Sequence, residues 1–171
     1  MKIYKLIPSL IVIFILQLSL VSEISIMGIS PSLILVFIMI TLYLFQNEVR
    51  CVVASIIVGF CLDIIVGSYM GIYALTLFLV AVFSIYYKSI CNNENSFSLV
   101  PLTLVGTAIY NFIPFAFYAM ADMSISIWRI LRYTGVSFGY NLIIIYIMYF
   151  LMRKRASYRP PRSQYERYET I

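Results

Sequence analysis

The chain has 171 residues, 63% of them hydrophobic and 11% charged, with a mean hydropathy of +0.97 and a formal net charge of +5. Soluble domains average about 25% charged residues, so this composition excludes a soluble globular protein and is that of an integral membrane protein. A bilayer core about 30 Å thick takes roughly 20 apolar residues per helix, which leaves room for several spans and no separate soluble domain.

In chain order the first element is an apolar run from Leu6 to Ile24, preceded by Lys2 and Lys5. It has the charge pattern of a signal peptide, but no small-x-small cleavage site follows, so it is expected to stay as a first span. Gln17 is the amide inside it. The second span is expected over Pro31 to Phe45, with Pro31 in the first helical turn, where no N–H is needed, and Ser30 as the cap. The third and fourth are Cys51 to Val66 and Ile72 to Tyr87, separated by a glycine-containing turn that makes them a tight hairpin. The fifth is Phe97 to Met120, with Pro101 early and Pro114 deep enough to kink it. The sixth is Thr134 to Met152. Spans of this kind that fall short of 20 residues must borrow interfacial residues or tilt little.

Two segments lie outside the six. "ADMSISIWRILRY", Ala121 to Tyr133, can form an interfacial helix with Ile127, Trp128 and Leu131 on one face and Arg129 and Arg132 on another. Beyond a transmembrane domain over residues 1–152, the tail 153–171 is basic, polar and expected to be disordered, with anionic lipid or a cytoplasmic partner as its contacts.

Orientation follows from the cations. Six spans put ten of the twelve Lys and Arg residues on the side of both termini and leave only Arg129 and Arg132 opposite. By the positive-inside rule both ends are then cytoplasmic. A five-span alternative weakens the bias.

The chain has no His, and its three cysteines, Cys51, Cys61 and Cys91, lack the spacing of a metal or redox site. No catalytic residue, metal or cofactor is expected, because one acid deep within the spans and no His cannot assemble a nucleophile, a base and an orienting group. The cysteines are read as small packing residues. Gln17, Asn111 and Asn141 are read as interhelical hydrogen-bonders.

The acid deep within the spans is Asp63, Glu23 standing at the very end of the first. Ser55, Gly59, Asp63, Gly67 and Gly71 recur every four residues and form one stripe of small residues about the carboxylate, a face that admits a close neighbour. A carboxyl facing lipid would cost about 2.5 to 3.5 kcal/mol, so Asp63 should face protein. Standing just before the reversal, it can accept hydrogen bonds from the free N–H groups at the start of the fourth helix, near Ser68 to Ile72. On that reading Asp63→Asn is tolerated. Pairing with Arg129 or Arg132, a transport role and contact with another subunit are the competing readings.

"FILQLSLVSEISIMGISPSLILVFIMI" followed by "GFCLDIIVGSYMGIYALTLFLV" resembles the bacterial rod-shape-determining membrane protein family MreD. The likeness lies in Gln17, in Pro31 and Leu33, and in the frame Gly59, Asp63, Gly67, Gly71, Ala74 and Leu75, over about residues 10 to 90. Family members usually carry Asp or Asn after the proline, where this chain has Ser32. The resemblance implies a non-enzymatic scaffold subunit of the cell-elongation machinery in the bacterial cytoplasmic membrane. Its partners would be the bitopic protein MreC, actin-like MreB filaments, and the peptidoglycan polymerase and transpeptidase. Membrane lipid surrounds it, nucleic acid is not a partner, and a homo-oligomer is compatible with the reading. The resemblance also implies a compact bundle of about six helices, like that of the substrate-binding subunits of energy-coupling-factor vitamin transporters. A vitamin-type uptake subunit is therefore the alternative function. Those subunits use alanine pairs four apart in their first helix, and here the first alanine is Ala54.

Overall fold

A computed structural model describes residues 3–23, 31–44, 48–65, 69–91, 96–121 and 127–156. These residues form six α-helices and one short 3-10 turn, with no strand among them. The helices are α1 (Ile3–Glu23), α2 (Leu33–Leu44), α3 (Glu48–Ile65), α4 (Ile72–Ile90), α5 (Leu99–Met120) and α6 (Ile127–Ala156); the 3-10 turn Ser96–Ser98 leads into α5.

The arrangement is built around α2. Its sequence, LILVFIMITLYL, is apolar on every side, and a helix of that kind must be enclosed. Every residue from Ile34 to Tyr43 is buried, and α2 packs against each of the other five helices. Around it α3, α4, α5 and α6 follow one another as antiparallel neighbours, while among the described residues α1 packs mainly on α2. Glycine sets the spacing where α5 crosses α2: a Cβ on Gly106 would stand 2.7 Å from the Sδ and Cε of Met39.

Among the described residues, three helical stretches are long and apolar enough to cross a membrane: Ile72–Ile90, Ser96–Met120 and Ile127–Met152. Two shorter apolar stretches, Pro8–Ser19 and Leu33–Leu44, fall below that length. At 1.5 Å per residue α2 is only about 18 Å long. α3 carries Glu48, Arg50 and Asp63 within its 18 residues. Outward faces are as apolar as the centre, for example Val53, Ile57, Phe60 and Ile64 on α3 and Ile143, Ile147 and Phe150 on α6. Exposed apolar surface on that scale belongs in lipid.

Two local expectations differ from the structure. α2 starts at Leu33, so Pro31 stands two residues ahead of the helix; Ser32 precedes it directly and its carbonyl accepts the Val36 N–H at 3.2 Å, while Ser30 lies outside the described residues. Ile127 to Tyr133 are not a separate interfacial helix but the first two turns of α6, which runs unbroken for 30 residues, about 45 Å. Nothing in that stretch breaks a helix, so the expected boundary at Thr134 has no physical cause. Pro114 is buried inside α5, which spans Leu99–Met120.

Hydroxyls inside the helices mostly turn back on their own backbone. Thr76, Ser84 and Thr103 donate to the carbonyls of Ile72, Val80 and Leu99 at 2.6 to 2.7 Å. Thr41 in α2 does not: its Oγ1 is buried without a partner. Removing an unsatisfied buried hydroxyl in favour of a methyl of the same shape should stabilise the fold by about 1 kcal/mol. Thr41→Val is therefore expected to raise the thermal transition of the detergent-solubilised protein, with Ser84→Ala as the control that does not.

Candidate functional site

A helix leaves its first N–H groups without intrahelical partners, and in an apolar bundle no water is at hand to satisfy them. Two helices, α2 and α4, begin against their neighbours, and in both cases side chains from elsewhere in the chain fill the need.

At the start of α2 the Leu33 N–H donates to Gln17 Oε1 at 2.7 Å, and Gln17 Nε2 donates back to the Pro31 carbonyl at 3.3 Å. The Ser32 N–H donates to Asn141 Oδ1 at 3.1 Å, and Asn141 Nδ2 donates to Thr107 Oγ1 at 3.1 Å. One amide from α1 and one from α6 thus hold four backbone or hydroxyl groups, and each uses both its donor and its acceptor end. Asn141 lies nine residues from Arg132 and twelve from Arg153 along α6, about 14 Å and 18 Å. The start of α2 is therefore level with the middle of the apolar part of α6.

The other end of α2 is held by a cation. Lys88 Nζ, from the last turn of α4, donates to the Leu42 carbonyl at 2.9 Å. A positive group at a helix C-terminus complements both the free carbonyls and the macrodipole.

At the start of α4 stands Asp63. Its Oδ1 accepts the Tyr73 N–H at 2.8 Å and its Oδ2 the Ala74 N–H at 3.1 Å. The residue before α4 is Gly71, at φ 97°, which has no side chain with which to cap the helix; the carboxylate of the preceding helix takes that role. The donors are Tyr73 and Ala74, slightly further into the helix than the expected Ser68 to Ile72. Cys51, Ser55, Gly59 and Asp63 form one buried stripe on α3, and a Cβ on Gly59 would collide with the Ala74 backbone, 2.8 Å from its nitrogen. The small residue permits the close approach that brings the carboxylate within reach of α4.

The remaining candidates divide. Gly67 lies outside the described residues. Arg129 and Arg132 are exposed on the first turns of α6, whereas Asp63 is 2% exposed with both oxygens engaged on α4, so the structure does not bring these charges together. The same burial removes Asp63 from direct contact with another subunit. Trp128 and Arg132, four residues apart, share a face of α6 instead of lying on opposite ones. Of the cysteines, Cys51 is buried, but Cys61 is exposed on the bundle surface, where its position on α3 turns it away from α4.

Sequence reasoning missed Lys88, counted only for its charge, and the tyrosines around the starts of α2 and α4. Tyr73 packs on Tyr110 with ring centroids 6.1 Å apart, and Tyr69 on Tyr118 at 6.0 Å. Comparison with family models, with curated proteins and with solved structures gives no match to this chain.

The two-oxygen contact revises the expectation for Asp63→Asn. An amide keeps one acceptor but turns an NH2 group toward the second backbone donor, so one N–H is stranded at a cost of about 1 to 3 kcal/mol. Asp63→Leu strands both. Thermal stability in detergent is expected to fall in the order wild type, Asn, Leu; equal stability of Asn and wild type would show that one bond suffices. Gly59→Leu should damage the protein as severely as Asp63→Leu, because it separates α3 from the donors.

Proposed function

We propose that this chain is a non-enzymatic scaffold subunit of the bacterial cell-elongation machinery, a member of the MreD family. It would act in the cytoplasmic membrane beside an MreC-type bitopic protein, MreB filaments and the enzymes that polymerise and cross-link peptidoglycan. The observation that carries the reading is the coincidence between resemblance and structure. Gln17, Pro31, Gly59, Asp63 and Gly71, five of the residues on which the resemblance rests, stand at the starts of α2 and α4. Such residues are the part of a membrane fold that tolerates least change, and so the part in which kinship is readable across a chain of interchangeable apolar residues.

The topology that goes with the reading has six crossings and both termini in the cytoplasm, supported by six helices and by the ten-to-two division of the cations. This count takes α2, about 18 Å long, as one of the six crossings. A scaffold works through its surfaces, which fits a site whose polar groups are spent on one another.

Two measurements test this. Affinity purification from mild detergent should recover wall-synthesis proteins; recovery of a vitamin or an ATPase-linked transport partner in their place would replace the scaffold with an uptake subunit. On a background without Cys51, Cys61 and Cys91, a cysteine at Ser124 should react with an impermeant thiol reagent in intact cells and one at Ser163 should not. Labelling at Ser163 would overturn the six-span topology.

A further inference from the structure

Among the described residues two side-chain hydroxyls are buried without a partner, those of Thr41 and Ser137. Unlike Thr76, Ser84 and Thr103, neither donates to the carbonyl four residues before it. Thr41 stands in the all-apolar α2, but Ser137, 4% exposed on α6, stands beside a second group that lacks its usual partner. Pro114 has no N–H, so the carbonyl of Tyr110, four residues earlier in α5, loses the bond that its own helix would supply.

Two hydrogen bonds between α5 and α6 bracket these groups. Asn141 Nδ2 donates to Thr107 Oγ1 at 3.1 Å and Asn111 Nδ2 to Thr134 Oγ1 at 3.4 Å, which sets the register of the two antiparallel helices. Ser137 lies between Thr134 and Asn141 on α6, about 4.5 Å and 6 Å from them along the axis. Tyr110 lies between Thr107 and Asn111 on α5. Pro114 is buried and stands seven residues after the buried Thr107, within about 20° of it around the helix. The missing N–H therefore belongs to the side of α5 that meets α6. In a bundle without bulk water, a carbonyl freed by proline is met by a neighbouring helix, a hydroxyl side chain or an ordered water. Ser137 supplies the hydroxyl, and it makes no direct bond to the carbonyl.

We infer that the seam between α5 and α6 binds a water molecule that accepts from the Ser137 hydroxyl and donates to the Tyr110 carbonyl. The oxygen of the neighbouring Asn111 side chain, whose nitrogen is used on Thr134, can take the second proton of that water. A monovalent cation fits less well. The groups along the seam are hydroxyls, amides and a carbonyl, all neutral. Asp63 spends both oxygens on α4, and no other acid lies inside the bundle, so nothing there offsets the desolvation of a positive charge. The water joins α5 to α6 at the turn where the hydrogen-bond ladder of α5 is interrupted. The inference is independent of the proposed function.

Crystals of the full chain grown in a lipidic mesophase test the site directly. They should show a density peak about 2.5 to 3.0 Å from both Ser137 Oγ and the Tyr110 carbonyl oxygen. No peak, or a Ser137 hydroxyl bonded to the carbonyl itself, would overturn the inference. Crystals grown with thallium(I) in place of sodium and potassium should give no anomalous signal there; a strong one would assign the site to a monovalent cation and overturn it equally. A second measurement uses the detergent-solubilised chain. Ser137→Ala should lower the thermal transition by about 2 to 4 °C, because the water loses one of its anchors. Pro114→Ala returns an N–H to the Tyr110 carbonyl, so on that background Ser137→Ala should cost at most half as much. No loss in the wild type, or an equal loss on both backgrounds, would uncouple Ser137 from the freed carbonyl and sink the proposal.

Discussion

Inside an apolar bundle a backbone N–H or carbonyl has no solvent to turn to, and an unsatisfied one costs several kcal/mol. Helices meet this demand along their length but not at their ends, so the positions of helix ends are the constraint on which the rest of the structure depends. α2 begins level with the middle of α6, and it can do so only because Gln17 and Asn141 converge on it from two other helices. That convergence fixes the heights of α1 and α6 relative to α2, and through Thr107 it fixes α5 as well. Lys88 does the same for α4 at the other end of α2. The apolar contacts in the centre are stronger in sum but indifferent to sliding by a turn. The caps are not.

This division explains which parts of the structure were legible in the sequence. The helices of the α3–α4 hairpin could be read because its determinants are local: Gly59, Asp63 and Gly71 are within one stretch at helical spacing, and the chain must reverse between them. Gln17 and Asn141 could be recognised as hydrogen-bonders, since an amide in an apolar helix has few other uses, but their shared target could not. Ser32 and Asn141 are 109 residues apart, and nothing in either local sequence refers to the other. Lys88 was hidden for another reason: near the end of a span a lysine is expected whether or not it touches anything, so its position conveys no contact. The central place of α2 was visible as apolarity on all sides, while its short length depended on where the polar caps stand.

The two caps also differ in charge, and the difference follows their surroundings. At α4 the cap is a carboxylate, and the adjoining turn is open, with Tyr69 and Met70 exposed. At α2 both caps are neutral amides, and the neighbouring Pro31, Ile34 and Leu35 are buried. A carboxylate only accepts hydrogen bonds, so at the deeper position it would leave the Pro31 carbonyl and the Thr107 hydroxyl without the donors that Gln17 and Asn141 supply. It would also bring a charge into a region with no cation to match it, at a desolvation cost of several kcal/mol. An amide satisfies a donor and an acceptor together and carries no charge. Ser32, directly before α2, leaves its own N–H and that of Leu33 to side chains from two other helices, and the start of α2 becomes a point at which the separate parts of the bundle are tied together.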